Sequence, residues 1–307
     1  MDWIFQFPFV MKPDLNAIDT AVRGFAVWAA VVLDAISGFL SGMVRNINWL
    51  LAHIPWFLLL ALVLVLGAKA RGRISSGILY AALLSFIGVV GYWDAMCTTL
   101  AVVITGVLIA LLLGLPCGIL ISGSDRANSI VRPILDTMQT MPVFVYLIPA
   151  MLLFGMGNAS GVIATVIYAV VPVIRLTSLG IRQVDKEVVE AAKSFGSTKW
   201  QLLFKVQIPQ ALPTIMTGVN QTLMMAMAMV VTCSMIGTRG LGIEVLNAVN
   251  RLEIGRGIVA GAAVVILAVI LDRLTQSLGT GAQSKPPRAR RAAKSPAPAA
   301  EEGGPQQ

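Results

Sequence analysis

The sequence predicts an all-α protein that crosses a membrane several times, and three observations predict it. Apolar residues make up 57% of the 307-residue chain and charged residues only 12%, about half the charged share of a water-solvated domain. The apolar residues fall in uninterrupted runs long enough to cross a hydrocarbon layer of about 30 Å. Lys and Arg collect in alternate gaps between those runs, the asymmetry that orients helical membrane proteins.

The first element precedes the long runs. Leu15, Ile18, Val22, Phe25, Val32, Ile36, Phe39, Met43, Ile47 and Leu50 recur at helical spacing, while Asn16, Asp19, Arg23, Asp34, Ser37, Ser41 and Arg45 take the other side. Residues 1–50 therefore read as an N-terminal amphipathic segment, its helix lying in the interface plane. The competing reading is an additional span over 24–44 with Asp34 at its centre. The cost of an unsatisfied carboxylate there favours the surface helix. The start, MDWIFQFPFV, lacks the positive region of a cleavable signal.

About seven spans are expected after it, near 50–68, 74–92, 95–121, 136–155, 158–179, 210–236 and 257–278. Trp49, Trp56, Tyr92 and Trp93 fall near span ends, where amphipathic rings sit at the headgroup level. Pro116, Pro142, Pro149 and Pro172 fall inside spans, where neighbouring helices can satisfy the carbonyls they free. The first, third and fifth loops hold Lys69, Arg71 and Arg73; Arg126 and Arg132; and Arg182, Lys186, Lys193, Lys199 and Lys205. The second and fourth hold no Lys or Arg, and the sixth offsets Arg239, Arg251 and Arg256 with Glu244 and Glu253. The odd loops and the C-terminus accordingly read as cytoplasmic and the N-terminus as lying outside. Residues 279–307 read as a disordered Pro/Ala-rich tail. Its Lys285, Arg288, Arg290, Arg291 and Lys294 suit anionic lipid rather than nucleic acid.

The chain carries little catalytic chemistry. It has no G-x-x-x-x-G-K-[ST], so it does not bind ATP through a P-loop. The lone His53 sits at the start of a span as a structural residue, and Cys97, Cys117 and Cys233 stand singly in apolar runs as small hydrophobes. No nucleophile–base pair or carboxylate dyad stands out, so neither an enzyme nor a metal or cofactor site is expected. The spans show no deep ionisable group of the kind a proton relay uses, since Asp136 and Arg175 lie near span ends where snorkelling is cheap. A transporter of this composition needs an external energy source. The sixth span does carry a polar stripe: Thr217, Gln221, Met225, Ala228 and Thr232 share one face, with Asn220 beside them. Such a stripe is either interhelical glue or the lining of a hydrated translocation path. Met224, Met225, Met227 and Met229 supply flexible packing there.

One polar island interrupts the apolar runs: VVEAAKSFGSTKWQLLFKVQIPQALP, residues 188–213. Val188, Ala192 and Phe195 share a helical face, Gly196 stops that helix, and Ser197 or Thr198 can cap a second one carrying Trp200, Leu203 and Phe204 as far as Pro209. A short amphipathic helix of this kind fits a groove on a partner, or else packs on its own membrane domain.

The island also carries a resemblance. Glu190-Ala191-Ala192, three residues, Gly196, nine residues, then Val206-Gln207-Ile208-Pro209 resembles the EAA motif of ABC-importer permeases, EAA-x3-G-x9-I-x-L-P, with Val206 and Ile208 where the motif has Ile and Leu. RPILDTMQTMPVFVYLIPAMLLFGMGN (132–158), KVQIPQALPTIMTGVNQTLMMAMAMVV (205–231) and ILDRLTQ (270–276) are similar to the membrane subunit of glycine betaine/proline betaine ABC transporters, a likeness running from about residue 50 to 278. The resemblance implies a type I importer transmembrane domain over 51–278 with a coupling loop at 180–209. It implies that Glu190, Ala191, Ala192 and Gly196 form a coupling helix, with Phe195 on its apolar face and Pro209 restarting the span. It also implies a homodimer working with two cytoplasmic ATPase subunits, which carry the ATP and Mg²⁺, and a periplasmic substrate-binding protein. The substrate implied is a quaternary-ammonium osmolyte such as a betaine or choline. The alternatives are the permease of another type I importer, for amino acids or sulfonates, and an ATP-independent channel or carrier.

Overall fold

Three long helices set the frame. In the computed structural model, which describes residues 15–280, these are α5 (Trp93–Ser122), α8 (Asn158–Arg182) and α11 (Ile208–Ser234), and they make the most extensive helix contacts in the molecule. The 30 residues of α5 reach about 45 Å, enough to cross a bilayer with its headgroups. Met96, Ala101 and Ala110 of α5 and Val162, Ala164, Ala169 and Val173 of α8 are fully enclosed. Small residues allow the approach. A side chain at Gly118 would put its Cβ 2.7 Å from the Cβ of Thr177 and 2.8 Å from the carbonyl oxygen of Ile174, so only glycine lets α5 and α8 meet there.

The remaining elements are arranged around that trio, and every described element is a helix. Two N-terminal helices, α1 (Leu15–Trp28) and α2 (Ala30–His53), are followed by the short α3 (Trp56–Arg71) and α4 (Ile74–Val89). Next come α6 (Asp125–Thr140) and α7 (Val143–Phe154) between α5 and α8, and α9 (Lys186–Ser194) and α10 (Lys199–Leu202) before α11. The chain closes with α12 (Leu241–Asn250) and α13 (Ile254–Thr280). One apolar core joins Tyr80, Leu84 and Ile87 of α4, Met96, Leu100 and Val103 of α5, Met227 and Val230 of α11, and Leu267 and Ile270 of α13. The first 14 residues and the expected basic tail from 281 onward lie outside the described residues.

The membrane-protein class holds, but the spans are drawn differently from the seven expected. Among the described residues, five helices are long and apolar enough to cross a membrane: α2, α5, α8, the continuous stretch Lys199–Ser234, and α13. The segments expected as spans at 50–68 and 74–92 are α3 and α4, each 16 residues and about 24 Å long, which is short of the hydrocarbon thickness. They pack on each other and on α13 as a hairpin. The span expected at 136–155 is broken. Its two parts, α6 and α7, meet at 93°, because Pro142 disfavours a helical Met141, whose ψ is 133°. If that bent pair is counted as one crossing, the candidates number six.

The N-terminal helix expected to run unbroken over 14–50 is two helices parted at Ala29. Leu40 and Val44 of α2 are buried against Ala101 and Val102 of α5 and Ala159 and Val162 of α8. A helix resting on a lipid surface needs no such contact. Its length, composition and packing together support the competing reading in which α2 crosses the membrane.

Candidate functional site

The polar island folds into a projection at one end of α8 and α11. Asp185 caps α9, its Oδ1 accepting from the Glu187 N–H at 2.9 Å. At the other end Gly196 takes φ = +80°. The Gly196 N–H donates to the Lys193 carbonyl at 2.9 Å and the Ser197 N–H to the Ala192 carbonyl at 3.2 Å, the paired bonds of a Schellman stop. Thr198 then opens α10 with a reciprocal capping box. Its Oγ1 accepts from the Gln201 N–H at 3.3 Å while its own N–H donates to Gln201 Oε1 at 2.9 Å. Of the two cap candidates, Ser197 and Thr198, the structure uses Thr198.

The second helix does not end at Pro209. A π-helical turn over Leu203–Gln207 passes straight into α11, with Pro209 in its first turn, so the chain is helical from Lys199 to Ser234. Pro209 would obstruct the carbonyl of Lys205 in a regular helix; the wider turn, in which the Ile208 N–H reaches the Leu203 carbonyl, accommodates it. The projection is thus joined rigidly to a helix of 36 residues, about 54 Å long. The far end of that helix is pinned: the Leu241 N–H donates to Thr99 Oγ1 at 2.8 Å, and the Gly157 N–H donates to the Ile236 carbonyl at 3.0 Å.

One side of the projection is anchored and the other is bare. Leu202 is buried, and Leu203 and Ile208 pack with Ile181, Ala211 and Ile215. On α9 itself no residue is buried. Glu190 and Ala191 are exposed and Ala192 is half-buried, while the Phe195 side chain is 91% exposed. Trp200 and Phe204, also exposed, stack with ring centroids 5.8 Å apart. Of the expected apolar face Val188–Ala192–Phe195, only Ala192 faces the body of the protein.

The polar stripe of α11 divides in two. Thr217 and Gln221 are exposed, with the Thr217 hydroxyl donating back to the Pro213 carbonyl at 3.0 Å. Met225 and Thr232 are half-buried, Met225 against the main core. Asn220 turns aside: its Nδ2 donates to Asp272 Oδ1 on α13 at 2.9 Å. Asp272 also accepts from Gln276 Nε2 at 2.7 Å, and its side chain is only 16% exposed. This corrects the expectation that the spans hold no shielded charge. A carboxylate inside the apolar run 257–278, with a glutamine four residues on, was the available signal. Among the described residues no group of three or more His, Cys, Asp or Glu is placed to hold a metal ion.

A bundle of apolar helices with a capped, exposed lever continuous with one long helix is the form of a transporter's membrane subunit. The chain belongs to the family described as binding-protein-dependent transport system inner membrane component, whose model matches residues 106–281. Among curated relatives, the glycine betaine/proline betaine transport system permease protein ProW of Escherichia coli is 53% identical over 199 residues, covering 65% of this chain and 56% of the relative. The chain therefore spans about half the length of that protein. The glycine betaine/carnitine transport permease protein GbuB of Listeria monocytogenes is 45% identical over 276 residues, covering 89% of this chain and 98% of the relative. Among solved structures, the fold is similar to that of the MetNI methionine ABC transporter in an inward-facing conformation, with a TM-score of 0.51 at 22% identity, covering 60% of this chain and 90% of that one.

Proposed function

We propose that the chain is the permease subunit of an ATP-driven importer of a small quaternary-ammonium osmolyte, and that α9 is where the ATPase acts on it. One observation carries this reading. The exposed face of α9, around Glu190, Ala191 and Phe195, continues through the Gly196 turn into the single helix Lys199–Ser234, on which Thr217 and Gln221 face away from the core. A partner that grips α9 therefore pulls on the helix that would line the path. Pro209, within that helix, leaves the lever unbroken.

On this reading two copies of the chain pair, each seating its α9 in one cytoplasmic ATPase. Closure of the ATPases on ATP and Mg²⁺ rocks the helices between inward- and outward-facing states. Thr217, Gln221 and Thr232 belong to the path; Asn220 and Met225 hold its helix to the core. A periplasmic binding protein delivers the substrate, and its aromatic cage carries the cation selectivity. The substrate class is supported by the betaine transport for which ProW and GbuB are named. Proteoliposomes holding the chain, its ATPase and the binding protein should take up glycine betaine only with ATP. Flux without ATP or without the ATPase would replace the reading with a channel or carrier.

The coupling loop and C-terminus are assigned to the cytoplasm by their Lys and Arg. The N-terminus lies in the periplasm if α2 rests on the surface and in the cytoplasm if α2 spans. A reporter fused after residue 20 separates the two.

A further inference from the structure

A cleft between α6 and α8, at the same end of the bundle as the coupling loop, is built like an anion site. It encloses about 380 Å³. Its floor is apolar, formed by Ile121, Leu135 and Ile174, which belong to one buried cluster. Three guanidiniums line it: Arg132, Arg175 and Arg182. Arg175 is paired with Asp136 and Arg182 with Asp125. Among the described residues no carboxylate lies within ion-pair distance of Arg132. Two carboxylates against three guanidiniums leave the cleft with one uncompensated positive charge.

Two donors in the wall are also unused. Ser178 is 5% exposed and its Oγ has no hydrogen-bond partner, and Arg175 Nε is buried without one. A hydroxyl and a guanidinium N–H held out of water without partners are costly, and a ligand that accepts from both removes the cost. The field reinforces the site. A second cavity of about 450 Å³ shares Arg182 with it and adds Lys186, Lys193 and Lys199.

We propose that this cleft binds a phosphate group, held by Arg132, Arg175 Nε and Ser178. Planar guanidiniums match phosphate oxygens in a bidentate fork, and the apolar floor accepts the glycerol and first methylenes of a lipid. The chemistry is the phosphate; its source is an anionic phospholipid headgroup or a soluble phosphate. The site lies on the face of α8 opposite Val173 and Gly180, which pack on α11, so it is separate from the path proposed above.

The test titrates the full-length chain in detergent with phosphatidylglycerol, read by native mass spectrometry, and with inorganic phosphate, read by calorimetry and as a competitor of the lipid. Arg132→Ala should weaken phosphatidylglycerol binding about tenfold, the scale of one charge-assisted hydrogen bond. Arg132→Lys should recover part of that loss, and Ser178→Ala should cost a few-fold. Arg126→Ala removes an exposed charge from the same helix without touching the cleft, and should change nothing. Inorganic phosphate that binds with the same Arg132 dependence while the lipid does not would assign the soluble source and keep the site. Equal lipid and phosphate binding by wild type and Arg132→Ala, or an equal loss in Arg126→Ala, overturns it.

Discussion

Two consecutive helices make the most instructive contrast in the molecule. α8 and α9 are separated by three residues, yet 15 of the 25 residues of α8 are buried and none of the nine in α9. Both carry apolar side chains. Those of α8 are covered by α5 and α11, whereas Val188 of α9 and Phe195, which follows its last residue, are left in the open. An uncovered phenylalanine forgoes about 1.5–3 kcal/mol of burial, a loss that stability alone would not select. The first helix is finished by its own chain. On the proposed reading, the ATPase covers the second.

The sharpest way to break that contrast is to damage each side separately. Gly118→Leu should separate α5 from α8, because even its Cβ overlaps Thr177 and the Ile174 carbonyl. A loss above about 3 kcal/mol is expected, and no monodisperse protein should survive size-exclusion chromatography. Gly196→Asp should do the reverse. A Cβ at that position meets nothing within 4 Å, so the fold bears only the left-handed strain of about 1–2 kcal/mol. Membrane yield should persist while ATPase assembly and uptake are lost. Normal assembly in that variant would remove α9 from the coupling role.

Two smaller effects refine the picture. Phe195→Ala should leave the melting temperature in place and weaken ATPase binding about tenfold, as a buried interface aromatic does. A lower melting temperature with unchanged ATPase affinity would mean that α9 packs on its own bundle. On α11, Asn220→Leu should cost about 1–3 kcal/mol, because Asp272 loses a donor in a shielded place. Gln221→Leu should leave stability within about 0.5 kcal/mol, since the side chain is exposed, and change uptake instead. Unchanged uptake would make Gln221 a packing residue.

Local signals are legible in the sequence. The Gly196 stop and a Ser197 or Thr198 cap depend on hydrogen bonds within a few residues, so composition and spacing carry them. Signals that depend on distant partners are not. Asn220 and Asp272 are 52 residues apart, and nothing local pairs them. Pro142 looks like one more kink inside an apolar run, yet it separates two helices at 93°, because whether a proline kinks or ends a helix depends on what packs on either side. Pro209 errs the other way, since the π-helical turn that absorbs it has no clear mark in the residue pattern.

The sequence by itself determined the solvent of this protein, its helical class and the projection that breaks its apolar runs. Hydropathy and short-range hydrogen bonding are properties of the residues in order, and they survive any arrangement of the helices. Only the tertiary structure decided which side of that projection is left uncovered, which half of the α11 stripe turns to the core, and that α2 packs on α5 and α8. Those outcomes depend on which surfaces meet, and helices in a membrane meet through small residues and scattered polar groups rather than through a periodic pattern legible in one chain segment.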